Sequence, residues 1–267
     1  MVLFCCPSNV GMFLCIVYLL INAAECHSLP CLLNSTYGEA LHNFTAYNSR
    51  FRMPSGESGA HAENMWYSFN YGPIHFVNID TETDFPGAPH DDILPGYNNG
   101  GFGDQLKWLE QDLKQANASR NLRPWIFVGG HRPMYSILNV DSNGNLTNPP
   151  ASLAAAVEDM FHNYGVDIYF CGHQHSYERQ WPVYRTQPEK TYNDPSATVY
   201  IVNGAAGNTE LHTPYWFEQH PEWNVMKNNE DYGYGMLTIY NSTTLHWGFF
   251  SSKNDTLLDE MVLHKKH

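Results

Sequence analysis

The chain has 267 residues, 43% of them hydrophobic and only 15% charged, which excludes disorder and coiled coil and leaves one or two domains at roughly 150 residues each. Lys+Arg total 14 against 27 Asp+Glu, a formal net charge of -13. No nucleic-acid partner is expected, because that requires a basic footprint.

The N-terminal stretch 11–21 is apolar and of signal-peptide length, shorter than the about 20 residues of a membrane span. Ala24-Glu25-Cys26 could serve as its cleavage site, although residues 1–10 carry no Lys or Arg. No later segment is apolar for long enough to span a bilayer, so no stable membrane span is expected. Asn34, Asn43, Asn117, Asn145, Asn241 and Asn254 each begin an Asn-x-Ser/Thr triplet. Together these features point to a secreted or vacuolar glycoprotein, with residues 1–23 as a leader. Five of the six cysteines lie in the first 31 residues. Cys26 and Cys31 are close enough to bridge a loop, and Cys171 reads as a buried small hydrophobe.

Residues 66–70 and 74–79 read as strands around a Tyr71-Gly72-Pro73 turn. The stretch 81–103 is a loop rich in Gly, Pro, Asn and Asp, with Asp80, Asp84, Asp91 and Asp92 as a solvated cluster. A helix is expected over 104–117, capped by Asp104, with Leu106, Leu109 and Leu113 at helical spacing. A short buried strand, 125–128, runs straight into Gly129-Gly130-His131. A second helix, 149–164, has Pro at its start and Gly165 at its stop; Leu153, Ala156, Val157, Met160, Phe161 and Tyr164 line one face. The strand 166–171 then ends at Gly172-His173-Gln174-His175. This alternation is an α/β pattern. Strands over 198–203, 235–240, 245–250 and 257–263 follow without intervening helices, and read as an antiparallel sheet packed on the α/β part.

Both buried strands of the α/β part end in glycine followed by histidine. The carboxyl ends of strands are where open α/β sheets place their sites, and glycine lets the backbone turn sharply there. His173 and His175 share a face of an extended stretch, and His131 arrives from the neighbouring strand end. Three imidazoles converging from two loops suit zinc, iron, copper or nickel. Glu178 and Arg179, just past the pair, could brace the loop from behind. His61, His75 and His90 have no partner motif and read as surface or structural.

These motifs carry a resemblance. Gly129-Gly130-His131-Arg132-Pro133-Met134-Tyr135 and Cys171-Gly172-His173-Gln174-His175-Ser176-Tyr177-Glu178-Arg179 resemble the last two metal motifs of the purple acid phosphatases, a family of calcineurin-like metallophosphoesterases. Residues 43–54, 66–69 and 200–207 are similar to the connecting segments, in the family's order. The resemblance covers roughly residues 24–264. It implies an α/β fold, a β-sandwich flanked by helices in four layers (α/β/β/α). The stretch 24–195 would be the C-terminal part of the metallophosphoesterase domain, and 196–264 the family's strand-rich C-terminal region. It further implies a small phosphate-monoester substrate attacked by metal-activated hydroxide at a binuclear centre of Fe(III) with Zn, Mn or Fe(II). His131 and His173 would bind the divalent metal and His175 the iron.

The chain departs from the family at its start. It contains no Gly-Asp-x-Gly, Gly-Asp-x-x-Tyr or Gly-Asn-His-Glu. These three motifs supply the family's Asp, Tyr and Asn ligands, so the fold is expected to be N-terminally truncated. The residues that follow His131 by about ten, where some members place substrate-contacting histidines, are Asn139 and Val140. Two alternatives to an acid phosphatase therefore stand: a catalytically impaired secreted glycoprotein lacking part of the metal site, and a metal-buffering His-rich protein.

Overall fold

The computed structural model describes residues 2–5, 14–16, 45–89, 100–143, 145–207, 211–213 and 220–266. Cys26, Cys31, Asn34, Asn43, His90, Asp91 and Asp92 lie outside them.

An eight-stranded mixed sheet carries the site. Its four central strands are β4 (Ile74–Asn78), β5 (Trp125–Gly129), β6 (Ile168–Cys171) and β9 (Thr198–Asn203), all parallel to one another. β3 (Tyr67–Tyr71) pairs antiparallel with β4 at one edge. β7 (Tyr177–Tyr184) pairs antiparallel with β9 and with β10 (Asn224–Asn228) at the other, and β8 (Gln187–Pro188) hangs on β7. The central strands are apolar throughout because both faces are covered. In β5, Ile126 and Val128 face one core while Trp125 and Phe127 face the other; in β9, Tyr200 and Val202 alternate in the same way with Val199 and Ile201.

The first core is closed by two helices, α2 (Gln105–Ala118) and α3 (Pro150–Tyr164); a short α1 (Thr45–Arg50) precedes them. Asp104 caps α2 by accepting from Lys107 N at 3.1 Å, and Trp108, Leu109 and Leu113 are its buried stripe. Leu153, Val157 and Phe161 do the same for α3, which ends at Gly165 in the left-handed region (φ 66°). The second core lies between the large sheet and a five-stranded one of order β13-β12-β11-β1-β2. Here β11 (Gly233–Ile239), β12 (Thr244–Ser251) and β13 (Leu257–His264) form an antiparallel meander. β1 (Val2–Cys5) runs parallel to β11, and β2 (Leu14–Ile16) pairs with β1. Among the described residues, helices, sheet and sheet form three stacked layers of a mixed α/β fold with flanking helices. Among the described residues no helix is long and apolar enough to cross a membrane.

Two expectations need correction. The strand 198–203 is not part of an added antiparallel layer: β9 sits in the large sheet beside β6, with β7 returning on its far side. The acidic loop after β4 is not simply solvated. Asp80 accepts from the N–H groups of Glu82 and Thr83, and Gln105 bridges Asp80 and Thr83 from the start of α2. Burial pushes the Asp80 carboxyl up to about 6, against those donors.

Candidate metal centre

Because β4, β5, β6 and β9 are parallel, their carboxyl ends emerge along one edge of the sheet. The loops leaving them bring Thr81 and Glu82, His131 and Arg132, His173 and His175, and Gly204 to the same place. Close approach there depends on missing side chains. A Cβ at Gly130 would lie 2.5 Å from Tyr169 Oη and 2.7 Å from Thr81 Cγ2. One at Gly204 would lie 1.9 Å from the carbonyl oxygen of Gln174 and 2.2 Å from that of Gly172. The two His loops are stitched together by main chain, since the Gly172 and His173 N–H groups both donate to His131 O at 3.1 and 2.9 Å.

His131 Nε2 stands 2.9 Å from His173 Nδ1, the rings edge to face at 4.8 Å between centroids. Burial pulls the His131 ring down to about 3, with His173, Arg132 and His175 adding to it. Burial likewise pulls His173 down to about 4, helped by Arg132 and His175. Both rings are therefore neutral at neutral pH, which is the form that ligates a metal. His175 is within electrostatic reach of both, and its backbone is clamped by Thr213: His175 N donates to Thr213 Oγ1 at 3.0 Å and Thr213 N to His175 O at 3.1 Å.

Glu82 and Arg132 are the neighbours that motif spacing did not single out. Arg132 Nε donates to Glu82 Oε2 at 2.9 Å, its Nη1 lies 3.2 Å from His173 Nε2, and its N–H donates to Thr81 Oγ1 at 2.9 Å. Tyr169 Oη donates to Arg132 O at 2.7 Å and fixes the loop from the helix side. Burial raises the Glu82 carboxyl above its ordinary value, with Arg132 opposing. The signal that could have found Glu82 is the one that found His131, a position just past the carboxyl end of a parallel strand.

Glu178 and Arg179 separate. Glu178 is fully buried and accepts from Ser136 Oγ at 2.7 Å, Ile137 N at 3.0 Å and Gln180 Nε2 at 2.9 Å. It therefore braces the loop of His131 from a strand that begins two residues after His175. Arg179 points to the opposite face of β7. It grips Asp259 on β13 with Nε at 2.6 Å and Nη2 at 2.7 Å, so it ties the two sheets and does not brace the His loops. The reason is the strand period of two, which sends successive side chains to opposite faces. His75 is structural, held between Asn70 Oδ1 at 2.9 Å and Asp112 Oδ2 at 2.7 Å, and His61 is exposed. Cys171 is a buried free thiol.

Two converging neutral nitrogens suit one borderline divalent cation such as zinc. They do not suit iron(III), which prefers anionic oxygen donors. Among the described residues no group of three or more His, Cys, Asp or Glu side chains already stands in place to hold a metal.

Comparison with known proteins shows the family of the chain. The calcineurin-like phosphoesterase model matches residues 35–177, and the iron/zinc purple acid phosphatase-like C-terminal model matches 197–260. Acid phosphatase type 7 of Mus musculus is 37% identical over 229 residues, covering 82% of this chain and 49% of the relative. An acid phosphatase of Aspergillus ficuum is 34% identical over 262 residues, covering 84% and 41%. The chain thus spans about half or less of the length of these relatives. A purple acid phosphatase from yellow lupin seeds shares the fold at a TM-score of 0.64 and 22% identity, over 83% of this chain and 35% of that one. The chain belongs to the calcineurin-like phosphoesterases and, within them, to the purple acid phosphatase family.

Proposed function

We propose that the chain is a metal-dependent acid phosphatase acting on small phosphate monoesters at the crevice of His131, His173 and His175. The observation that carries this reading is the 2.9 Å approach of His131 Nε2 to His173 Nδ1, two rings kept neutral by burial at the carboxyl ends of parallel strands. A bound divalent cation supplies Lewis acidity toward phosphoryl oxygens and acidifies a water for attack. His131 and His173 would hold it. Arg132 brings a guanidinium to the same crevice, a planar fork suited to orienting phosphate oxygens. Glu178 keeps the His131 loop in register with the strand that follows His175. The family's second metal, Fe(III), would fall to His175.

The test is hydrolysis of a nitrophenyl phosphate ester by the zinc-loaded chain at mildly acid pH. His131→Ala and His173→Ala should each abolish turnover, while His61→Ala leaves it unchanged; equal loss in all three would refute the site. A second reading, a glycoprotein that keeps the fold with impaired turnover, is favoured by the lack of a ready three-donor cluster among the described residues. It predicts no turnover from the unaltered chain. Both readings include a secretory or vacuolar route, supported by Asn117, Asn145, Asn241 and Asn254, all exposed. Protein made in a eukaryotic host should lose mass on enzymatic deglycosylation; an unchanged mass would contradict that route.

A further inference from the structure

We infer that Glu82 is a built-in counter-anion that competes with the phosphoryl group of the substrate for Arg132, a role that rests on the phosphatase reading above and deepens it. Main chain sets the starting point. Arg132 N donates to Thr81 Oγ1 at 2.9 Å, and Arg132 O accepts from Tyr169 Oη at 2.7 Å. The side chain then meets Glu82, with Arg132 Nε 2.9 Å from Oε2 and 2.8 Å from Oε1. On the other side of the guanidinium, Nη1 stands 3.2 Å from His173 Nε2. One end of the fork is thus spent on the carboxylate while the other reaches the histidines. The two side chains are only 21% and 16% exposed, so water screens the pair weakly. The carboxylate oxygens are used unequally. Oε2 takes the aligned bond, whereas Oε1 is buried without an aligned donor, 3.9 Å from His131 Nε2. Its negative charge therefore faces the histidine pair, where a phosphoryl oxygen would approach.

An anion that enters this crevice meets a cation already partnered. Arg132 attracts it and Glu82 repels it. Unit charges a few ångströms apart in a partly buried site shift affinity by about 10-fold or more, so the two effects are of comparable size and opposite sign. That opposition has a use. Inorganic phosphate, the product, carries the same oxygens that Arg132 reads on the substrate. Affinity shared equally by substrate and product does not speed the chemical step, and an unopposed guanidinium would retain the product. With Glu82 beside it, the guanidinium gives up phosphate and returns to a partner that never leaves.

The bland alternative is that Glu82 only anchors the loop of Arg132, and the two readings differ in sign. Inorganic phosphate is titrated into the full chain at neutral pH, metal-free and zinc-loaded, and followed by phosphorus NMR. Glu82→Gln keeps an oxygen that accepts from Arg132 Nε and removes the charge, so it should bind phosphate at least about 3-fold more tightly. Arg132→Gln should bind at least about 10-fold more weakly. Weaker or unchanged binding by Glu82→Gln, unchanged binding by Arg132→Gln, or binding by none of the three proteins overturns the inference. Crystals of the unaltered chain soaked in phosphate make the test independent of how the variants fold. A phosphate oxygen is expected about 2.7–2.9 Å from an Arg132 Nη, and phosphate seated away from Arg132 overturns the inference. An unaltered chain that takes up no zinc overturns the metal-centre reading alone, because the metal-free titration still decides the role of Glu82.

Discussion

Glu178 has no exposed surface and is surrounded by three donors, Ser136 Oγ, Ile137 N and Gln180 Nε2. Replacing it with Ala strands those groups away from water. Bonds to a charged acceptor contribute about 1.5–3 kcal/mol each, and part is recovered by relaxation, so Glu178→Ala should cost about 2–4 kcal/mol in urea unfolding. An unchanged midpoint would show that the brace is idle. Burial also raises this carboxyl above its ordinary value, the donors opposing only in part. The folded state then holds the proton more tightly than the unfolded chain. The contribution is full below the ordinary carboxylate range and is lost as pH rises through the folded value. At this scale the meeting of His131 and His173 was legible, because Gly-His at the end of an apolar strand marks a turn at the sheet's carboxyl edge. Glu82 was not, because it stands in a run of acids that composition alone reads as solvated. Arg179 was assigned to the wrong surroundings, because its face of β7 depends on the strand's register.

Helices α2 and α3 could be read from sequence to within a residue, being amphipathic with recognisable ends, whereas the short α1 was not anticipated. β7 was not anticipated. Its sequence YERQWPVY is too polar for a buried strand, and it is buried only because each polar group meets a partner on another element. Those partners are Ser136 for Glu178, Asp259 for Arg179 and Asn224 for Gln180. Pairings of that range are set by tertiary structure, and local propensity does not report them. The end of β9 offers a test of how tightly the elements close on the site. At Gly204 the obstacles to a Cβ are two main-chain carbonyls, so Gly204→Ala must part β9 from the 172–176 loop. About 1–3 kcal/mol of overpacking is expected, with weaker zinc binding beside it. Gly56→Ala meets nothing within 4 Å and serves as the control. Equal melting temperatures for the two variants would remove the case for close approach.

Across the whole molecule, the second sheet acts as a platform for the first. Trp247 is fully buried between them and donates to Tyr177 Oη at 2.9 Å; Tyr177 in turn donates to Asp259 Oδ2 at 2.7 Å, the carboxylate that also receives Arg179. The stretch 196–264 therefore does not stand apart, since β9 and β10 belong to the site-bearing sheet while β11, β12 and β13 form the platform. The α/β class and the stacking of sheets were legible from strand patterning, whereas the strand order was not. The central claim is that His131 and His173 hold a divalent cation. Elemental analysis and visible absorption of the purified 267-residue protein, offered zinc and iron together, test this most directly. The account predicts at least one zinc per chain, lost in His131→Ala; zinc retained by His131→Ala, or none bound by the unaltered protein, would contradict it.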